Sequence, residues 1–314
     1  MNLRFAAVKT TRAALTLWLV VTFTFAIMRL SGDPVQIMLG DEADQETIAR
    51  YQSLYGLDRP LPEQYLGYFS GILHGDLGYS LSDERPVTTV IGEALPATLQ
   101  LGFAALVISL LMGVPLGIIA ALNRNKAVDR FVMTVAVFGF SIPNFFLGIL
   151  LILLFSLSLR WLPSSGYGTI WHLVMPAVTL GTAAAGSFAR FTRSAMLDVL
   201  NRGYMRTAAA KGVPRLRRIA WHALPNAAIP LVTVLGFRLG DLIAGAIVIE
   251  TVFAWPGVGR LLVSAVSGRD LALVQAVLLM VAFTMVVSNL VVDMLYGWID
   301  PRIRAAGAGT GGRN

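Results

Sequence analysis

The 314-residue chain contains no cysteine. A disulfide framework, a thiol nucleophile and a thiolate metal site are therefore all excluded, although the compartment is not thereby fixed. Charge is scarce as well: 14% of residues are charged while 56% are hydrophobic, and the mean hydropathy is +0.69. Soluble domains use roughly 45–50% apolar and about 25% charged residues, so a water-soluble core does not account for this composition. The three histidines, His74, His172 and His222, stand far apart and lack zinc-ligand spacing, so each reads as a helix-edge or interfacial residue. No G-x-x-x-x-G-K-[ST] phosphate loop is present, and any ATP must be bound by another subunit. Ser141, Ser187 and Ser288 lie in or beside apolar runs without an assignable base, and such residues more often pack or hydrogen-bond between helices than attack a substrate.

What the chain does have is long apolar runs. A hydrocarbon layer of roughly 30 Å needs about 20 helical residues. Six runs qualify: Ala13–Leu30, Pro96–Leu122, Phe131–Leu159, His172–Ala189, Ala227–Val252 and Leu271–Trp298. The fourth is rich in small residues, Ala183 to Ser187, which suits close helix packing in lipid. The expectation is an all-α integral membrane protein with six transmembrane helices. A basic start followed by an apolar stretch is shared by cleaved signal peptides, but the first run is long and no small-x-small cleavage site follows it, so it reads as a retained span.

The net charge of +7 resides between the runs, which argues for membrane topology and against nucleic-acid binding. Arg4, Lys9 and Arg12 precede the first run, and Arg124, Lys126 and Arg130 follow the second. Arg190, Arg193, Arg202, Arg206, Lys211, Arg215, Arg217 and Arg218 lie between the fourth and fifth. Lys and Arg mark cytoplasmic loops, so both termini are expected inside and the acidic segment after the first run outside. The chain then divides into a cytoplasmic start with the first span (1–30), an external segment (31–95), a core with five spans and the basic loop 190–225 (96–300), and a cytoplasmic, disordered tail (301–314). In the external segment, Asp44 can cap a helix reaching Tyr55 and stopped by Gly56. A second helix can start at Pro62 and reach His74 before Gly75. These read as a folded loop packed on the bundle.

In the basic loop, Arg206–Lys211 can form a short helix that Gly212 stops and Pro214 prevents from continuing. Such a basic amphipathic helix can bind lipid headgroups or a partner protein. The order Tyr204, Met205, Arg206, Thr207, Ala208, Ala209, Ala210, Lys211, Gly212, followed by His222, Ala223, Leu224, Pro225, Asn226 and Pro230, resembles the coupling loop of ABC-transporter permeases. In this variant it resembles the dipeptide/oligopeptide branch. The resemblance continues through Gly32-Asp33-Pro34, Gly56-Leu57-Asp58, Gly75-Asp76-Leu77-Gly78, Leu95-Pro96-Ala97-Thr98-Leu99 and Gly113-Val114-Pro115-Leu116-Gly117. It extends over Ser141-Ile142-Pro143, the stretch Glu250 to Gly259, Arg269-Asp270 and Asp300-Pro301-Arg302.

This resemblance implies the type I importer architecture, a homologous second permease, two cytoplasmic ATPase subunits that use ATP and magnesium, and an external solute-binding protein. The chain itself then binds no cofactor, holds no catalytic residue and contacts membrane lipid. Tyr204 to Gly212, with Leu224 and Pro225, is the implied ATPase-coupling segment. Arg206 and Thr207 stand where many permeases have Glu and Ala, and Ala209 where peptide permeases often carry Arg; the last departure removes any salt bridge from that position. The implied activity is ATP-driven import of dipeptides, oligopeptides or related small solutes by alternating access. Related systems carry nickel chelates, glutathione or opines. A secondary transporter, which would need its own ion site, and a non-transport scaffold are the alternatives.

Arg238 and Asp241 fall halfway along the fifth run, three residues apart and so on one helical face. Charges at that depth usually pair with one another or meet a cavity, which makes them candidates to line a translocation path or to form a self-contained pair. Glu250 lies nearer the outer edge, where contact with its own loop competes with contact to a substrate.

Overall fold

The computed structural model describes residues 3–30, 35, 44–54, 56–80, 82–244 and 246–299. The proposed tail 301–314 lies outside them. The helices are α1 (Leu3–Leu30), α2 (Gln45–Leu54), α3 (Leu61–Leu73), α4 (Val87–Leu122), α5 (Ala127–Ser141), α6 (Asn144–Leu151) and α7 (Ile170–Leu200). They continue with α8 (Gly203–Ala210), α9 (Leu224–Ala244), α10 (Ile247–Val252), α11 (Val258–Ser267) and α12 (Leu271–Ile299), with a single helical turn, Arg215–Arg217, between α8 and α9. Among the described residues there is no β-strand, only an isolated bridge between Tyr79 and Pro86.

Four stretches cross a membrane by length and composition: Ala7–Ile27, Val87–Leu122, Ile170–Leu200 and Leu271–Val291. The other two runs are not single straight helices. Phe131–Leu159 is broken at Ile142–Pro143 with a 96° bend between Ala127–Gly139 and Asn144–Ser158. Pro143 disfavours the α conformation at the residue before it, and Ile142 is indeed extended, with φ −76° and ψ 125°. The fifth run is bent by 42° at Pro230, which has no N–H to donate to a carbonyl one turn back. It also stops at Ala244; Ile247–Val252, read in sequence as its end, is a separate helix. Two π-helical stretches, Ile152–Ser158 and Arg218–Ala223, flank these irregular elements.

Helix–helix register shows that both bent elements span the bundle. Close contacts pair Ala105 and Ile108 of α4 with Gly181 of α7, Gly113 with Ala185 and Phe188, and Gly117 with Ala189 and Thr192. Residue numbers rise together, so α4 and α7 are parallel. The chain between them must return from one end to the other, and α5 with α6 is therefore a broken span rather than a re-entrant loop. Similarly, Ala223 and Ala227 pack with Ala121 and Met196 at one end, whereas Ala246 packs with Ala97, Leu101 and Leu173 at the other. The element between them crosses as well. Six crossings result among the described residues, and the basic loops 123–126 and 201–223 share one end.

The helices leave the α4–α7 seam free of bulk because glycine and alanine let backbones approach. Pro96 and Pro115 lie within α4 and Pro176 within α7, as membrane helices tolerate when neighbours re-satisfy freed carbonyls. In the acidic segment after α1, α2 begins after Asp44, whose carbonyl accepts from Ile48 N, and ends before Gly56 at φ +64°. The α3 helix starts with Pro60 and Leu61 and is followed by Gly75 at φ +79°. It packs on the end of α1: Thr22 Oγ1 lies 2.8 Å from Tyr65 Oη, and Phe25 meets the Tyr65 ring edge-on at 5.3 Å. Burial pushes the pKa of the Tyr68 phenol up at this contact.

Candidate functional site: the basic loop and its supports

The α8 helix is one turn longer at its start than the sequence suggested. Gly212 follows at φ +74°, its N–H bonded to Ala209 O at 3.0 Å, while Val213 N reaches Ala208 O at 3.1 Å. These bonds cap the helix C-terminus in a left-handed turn, which glycine adopts without a Cβ penalty. Helical rotation divides α8 into two faces. Met205 is only 5% exposed and packs among Ala121, Met196, Ala223 and Ala227, so the ends of α4, α7 and α9 hold it. Tyr204, Thr207 and Lys211 on the other face are exposed, as are Arg206, Ala209, Ala210 and Gly212; Ala208 is half-buried. Beyond the loop, Leu224 is half-buried and Pro225 exposed at the start of α9. The sequence-selected segment is thus one contiguous surface, anchored by a single buried methionine.

Beside it, Arg193 Nε donates to Asp129 Oδ1 at 2.6 Å and Arg193 Nη2 to Asp129 Oδ2 at 2.7 Å. Asn125 N donates to the same carboxylate at 2.8 Å. This bidentate pair ties α5 to α7 just behind the basic loop. Sequence reading missed it, because the two residues are 64 positions apart and only the tertiary packing joins them.

The opposite end is organised by two buried carboxylates. Glu250 is fully buried and accepts from Thr98 Oγ1 at 2.6 Å, Gly259 N at 2.7 Å and Arg260 N at 3.1 Å. Thr98 Oγ1 in turn accepts from Val258 N at 2.8 Å, and Trp255 Nε1 donates to Ala97 O at 2.8 Å. Glu250 therefore packs against its own loop, and the stretch Glu250 to Gly259 is a cap fastened to the start of α4. Asp270 accepts from Ser80 Oγ at 2.5 Å and Ser82 N at 3.2 Å while its other oxygen caps Leu273 N at 3.1 Å. It joins the Tyr79–Pro86 turn to α12. On the surface nearby, hydrogen bonding and charge from Glu93, aided by Asp83, hold the Arg85 guanidinium more firmly protonated than usual.

Arg238 and Asp241 lie within α9, and their side chains are outside the described ones. His74 Nδ1 lies 2.8 Å from Ser70 O and His172 Nδ1 2.7 Å from Thr169 Oγ1, both at helix edges; His222 is exposed. Among the described residues, no group of three or more His, Asp or Glu is arranged to hold a metal ion.

Residues 113–305 match the family described as binding-protein-dependent transport system inner membrane component, and residues 2–102 match its N-terminal membrane component. The chain belongs to this family. A glutathione transport system permease protein of Escherichia coli O6:H1 is 46% identical over 285 residues, covering 91% of this chain and 93% of the relative. One from Salmonella paratyphi A is 44% identical over 290 residues, 92% of this chain and 95% of the relative. Among solved structures, the inward-facing MetNI methionine ABC transporter aligns with a TM-score of 0.53 at 20% identity, over 65% of this chain and 95% of that one. An amino acid ABC transporter crystallised with histidines aligns at 0.51 and 15% identity, over 68% and 94%. These last two share the fold.

The chain is accordingly a multi-pass inner-membrane permease of an ABC importer, of the peptide type, and not itself the catalytic component. The family implies ATPase, solute-binding and second-permease partners for the binding-protein-dependent permease.

Proposed function

We propose that this permease moves a short peptide-like solute, glutathione or a dipeptide to oligopeptide, into the cell. ATP with magnesium is bound and hydrolysed by two partner subunits at the basic, cytoplasmic end. The α8 helix, from Tyr204 to Gly212, is the surface those subunits grip, and Leu224 and Pro225 fix where α9 takes up the movement. The carrying observation is that α8 exposes Tyr204, Thr207 and Lys211 while Met205 is keyed among the ends of α4, α7 and α9. A partner that displaces α8 must then displace those helices. Nucleotide state and loaded binding protein bias the same two-state path from opposite ends. The glutathione named for the relatives makes that tripeptide the first substrate to test.

Arg238 and Asp241 supply opposite charges on one face of α9 for the ends of a zwitterionic peptide. Uptake of labelled glutathione and a peptide panel by vesicles containing this chain and its partners tests the reading. Gly212→Asp at matched assembly is expected to abolish ATP-dependent uptake. Gradient-driven uptake that survives in the variant would indicate a secondary transporter instead. Arg238→Gln with Asp241→Asn is expected to lower uptake per assembled complex; unchanged uptake of every solute would remove those residues from the path.

A further inference from the structure

Between α8 and the helix ends behind it lies a cavity of about 300 Å³ that coupling through the outward face leaves unused. Its floor is apolar, with Leu122, Leu200, Met205 and Ile219, and its rim carries Arg206, Arg215 and Arg218. No ion pair among the described residues involves any of these three arginines. Arg218 Nε is shielded from solvent and has no hydrogen-bond partner. Three guanidinium groups around one hollow repel one another, and a shielded N–H without an acceptor has lost its water without a replacement. An anion placed there would relieve both.

We propose that this cavity binds a phosphate group of net negative charge, supplied by an anionic phospholipid headgroup or by free phosphate. Guanidinium forks match phosphate oxygens in pairs, which a lysine-lined hollow would not do. The position at the helix ends, over an apolar floor, is where basic pockets meet headgroups. Met205 and Ala209, four residues apart, turn the inner face of α8 toward the cavity; Tyr204, Thr207 and Lys211 point away. A bound phosphate therefore bridges Arg206, before Gly212, to Arg215 and Arg218, after it. It braces the Gly212 turn from behind and leaves the outward face free for a partner.

The test uses the transporter, with and without its ATPase subunits, in nanodiscs of phosphatidylcholine, of phosphatidylcholine with phosphatidylglycerol, or of phosphatidylcholine with added inorganic phosphate. The measurement is hydrogen exchange of backbone amides 203–219. Slowing of about tenfold with phosphatidylglycerol alone assigns the site to lipid, and slowing with inorganic phosphate assigns it to the free anion. Either effect must disappear in Arg215→Gln, Arg218→Gln and their combination. If the double variant fails to assemble, the exposed Arg215→Gln decides alone. Exchange that responds to neither anion, or that slows equally in the glutamine variants, overturns the proposal. So does slowing that depends only on the ATPase subunits, which would assign these arginines to acidic residues of that partner.

Discussion

Glu250 illustrates how much one side chain can hold. Three donors converge on its carboxyl group, two of them backbone N–H groups of the 257–260 turn, in a site with no solvent access. Replacement by alanine strands all three, and Glu250→Ala is expected to destabilise the chain by about 3 kcal/mol or more, with Glu250→Gln losing less because one acceptor oxygen remains. Thermal unfolding of the detergent-solubilised complex reads this as a lower apparent Tm. Gly257→Ala should behave similarly, since its Cβ would land on the Glu250 carboxyl. At Gly212 the constraint differs: nothing lies within 4 Å of a Cβ there, and only the φ of +74° penalises other residues. Gly212→Asn should therefore keep the turn and its low amide exchange in 208–213, whereas Gly212→Val should cost about 1–2 kcal/mol of local structure and raise that exchange. The sequence marked Gly212 correctly, because a helix-stopping glycine before a proline is a local signal. The partners of Glu250 were not legible, because Thr98 is 152 positions away and alternation of polar residues carries no information about such a distance.

At the scale of elements, the α4–α7 seam is the most extensive helix–helix interface among the described residues. A Cβ on Gly113 would stand 2.6 Å from Ala185 O, and one on Gly181 would stand 2.7 Å from Ile108 Cγ2. Gly113→Leu or Gly181→Leu should separate the pair, costing at least about 1–3 kcal/mol. The fraction of monodisperse protein after extraction should fall accordingly, while Gly67→Leu on α3, with nothing within 4 Å, serves as the tolerated comparison. Six apolar runs were visible from composition because lipid demands them. Their shapes were not: the 96° turn at Ile142–Pro143 required weighing one proline against the strongly apolar residues on either side. The helix from Pro96 was placed too late, since residues 87–95 are helical through burial of Val87, Val90 and Ile91 against Val258 and Val277. That contact exists only once the chain has folded back on itself.

Across the whole molecule, charge asymmetry predicts that the basic loops face the cytoplasm, and the absence of cysteine makes that orientation directly measurable. Single substitutions Tyr79→Cys and Thr207→Cys occupy opposite ends, both at exposed positions. A membrane-impermeant maleimide, applied where it reaches the outer face of the inner membrane, should label Tyr79→Cys at once and Thr207→Cys only after that membrane is opened. The reverse pattern would invert the topology. The seam between α4 and α7 also has a mechanical consequence. Helices seated glycine against carbonyl cannot slip past each other by a residue without collision, so α7, about 46 Å long at 1.5 Å per residue, moves together with α4 as a stiff beam. On the proposed coupling, a push delivered through Met205 at one tip is returned at the other as tilt, with little lost to stretching, and the distance from tip to fulcrum sets the size of the stroke.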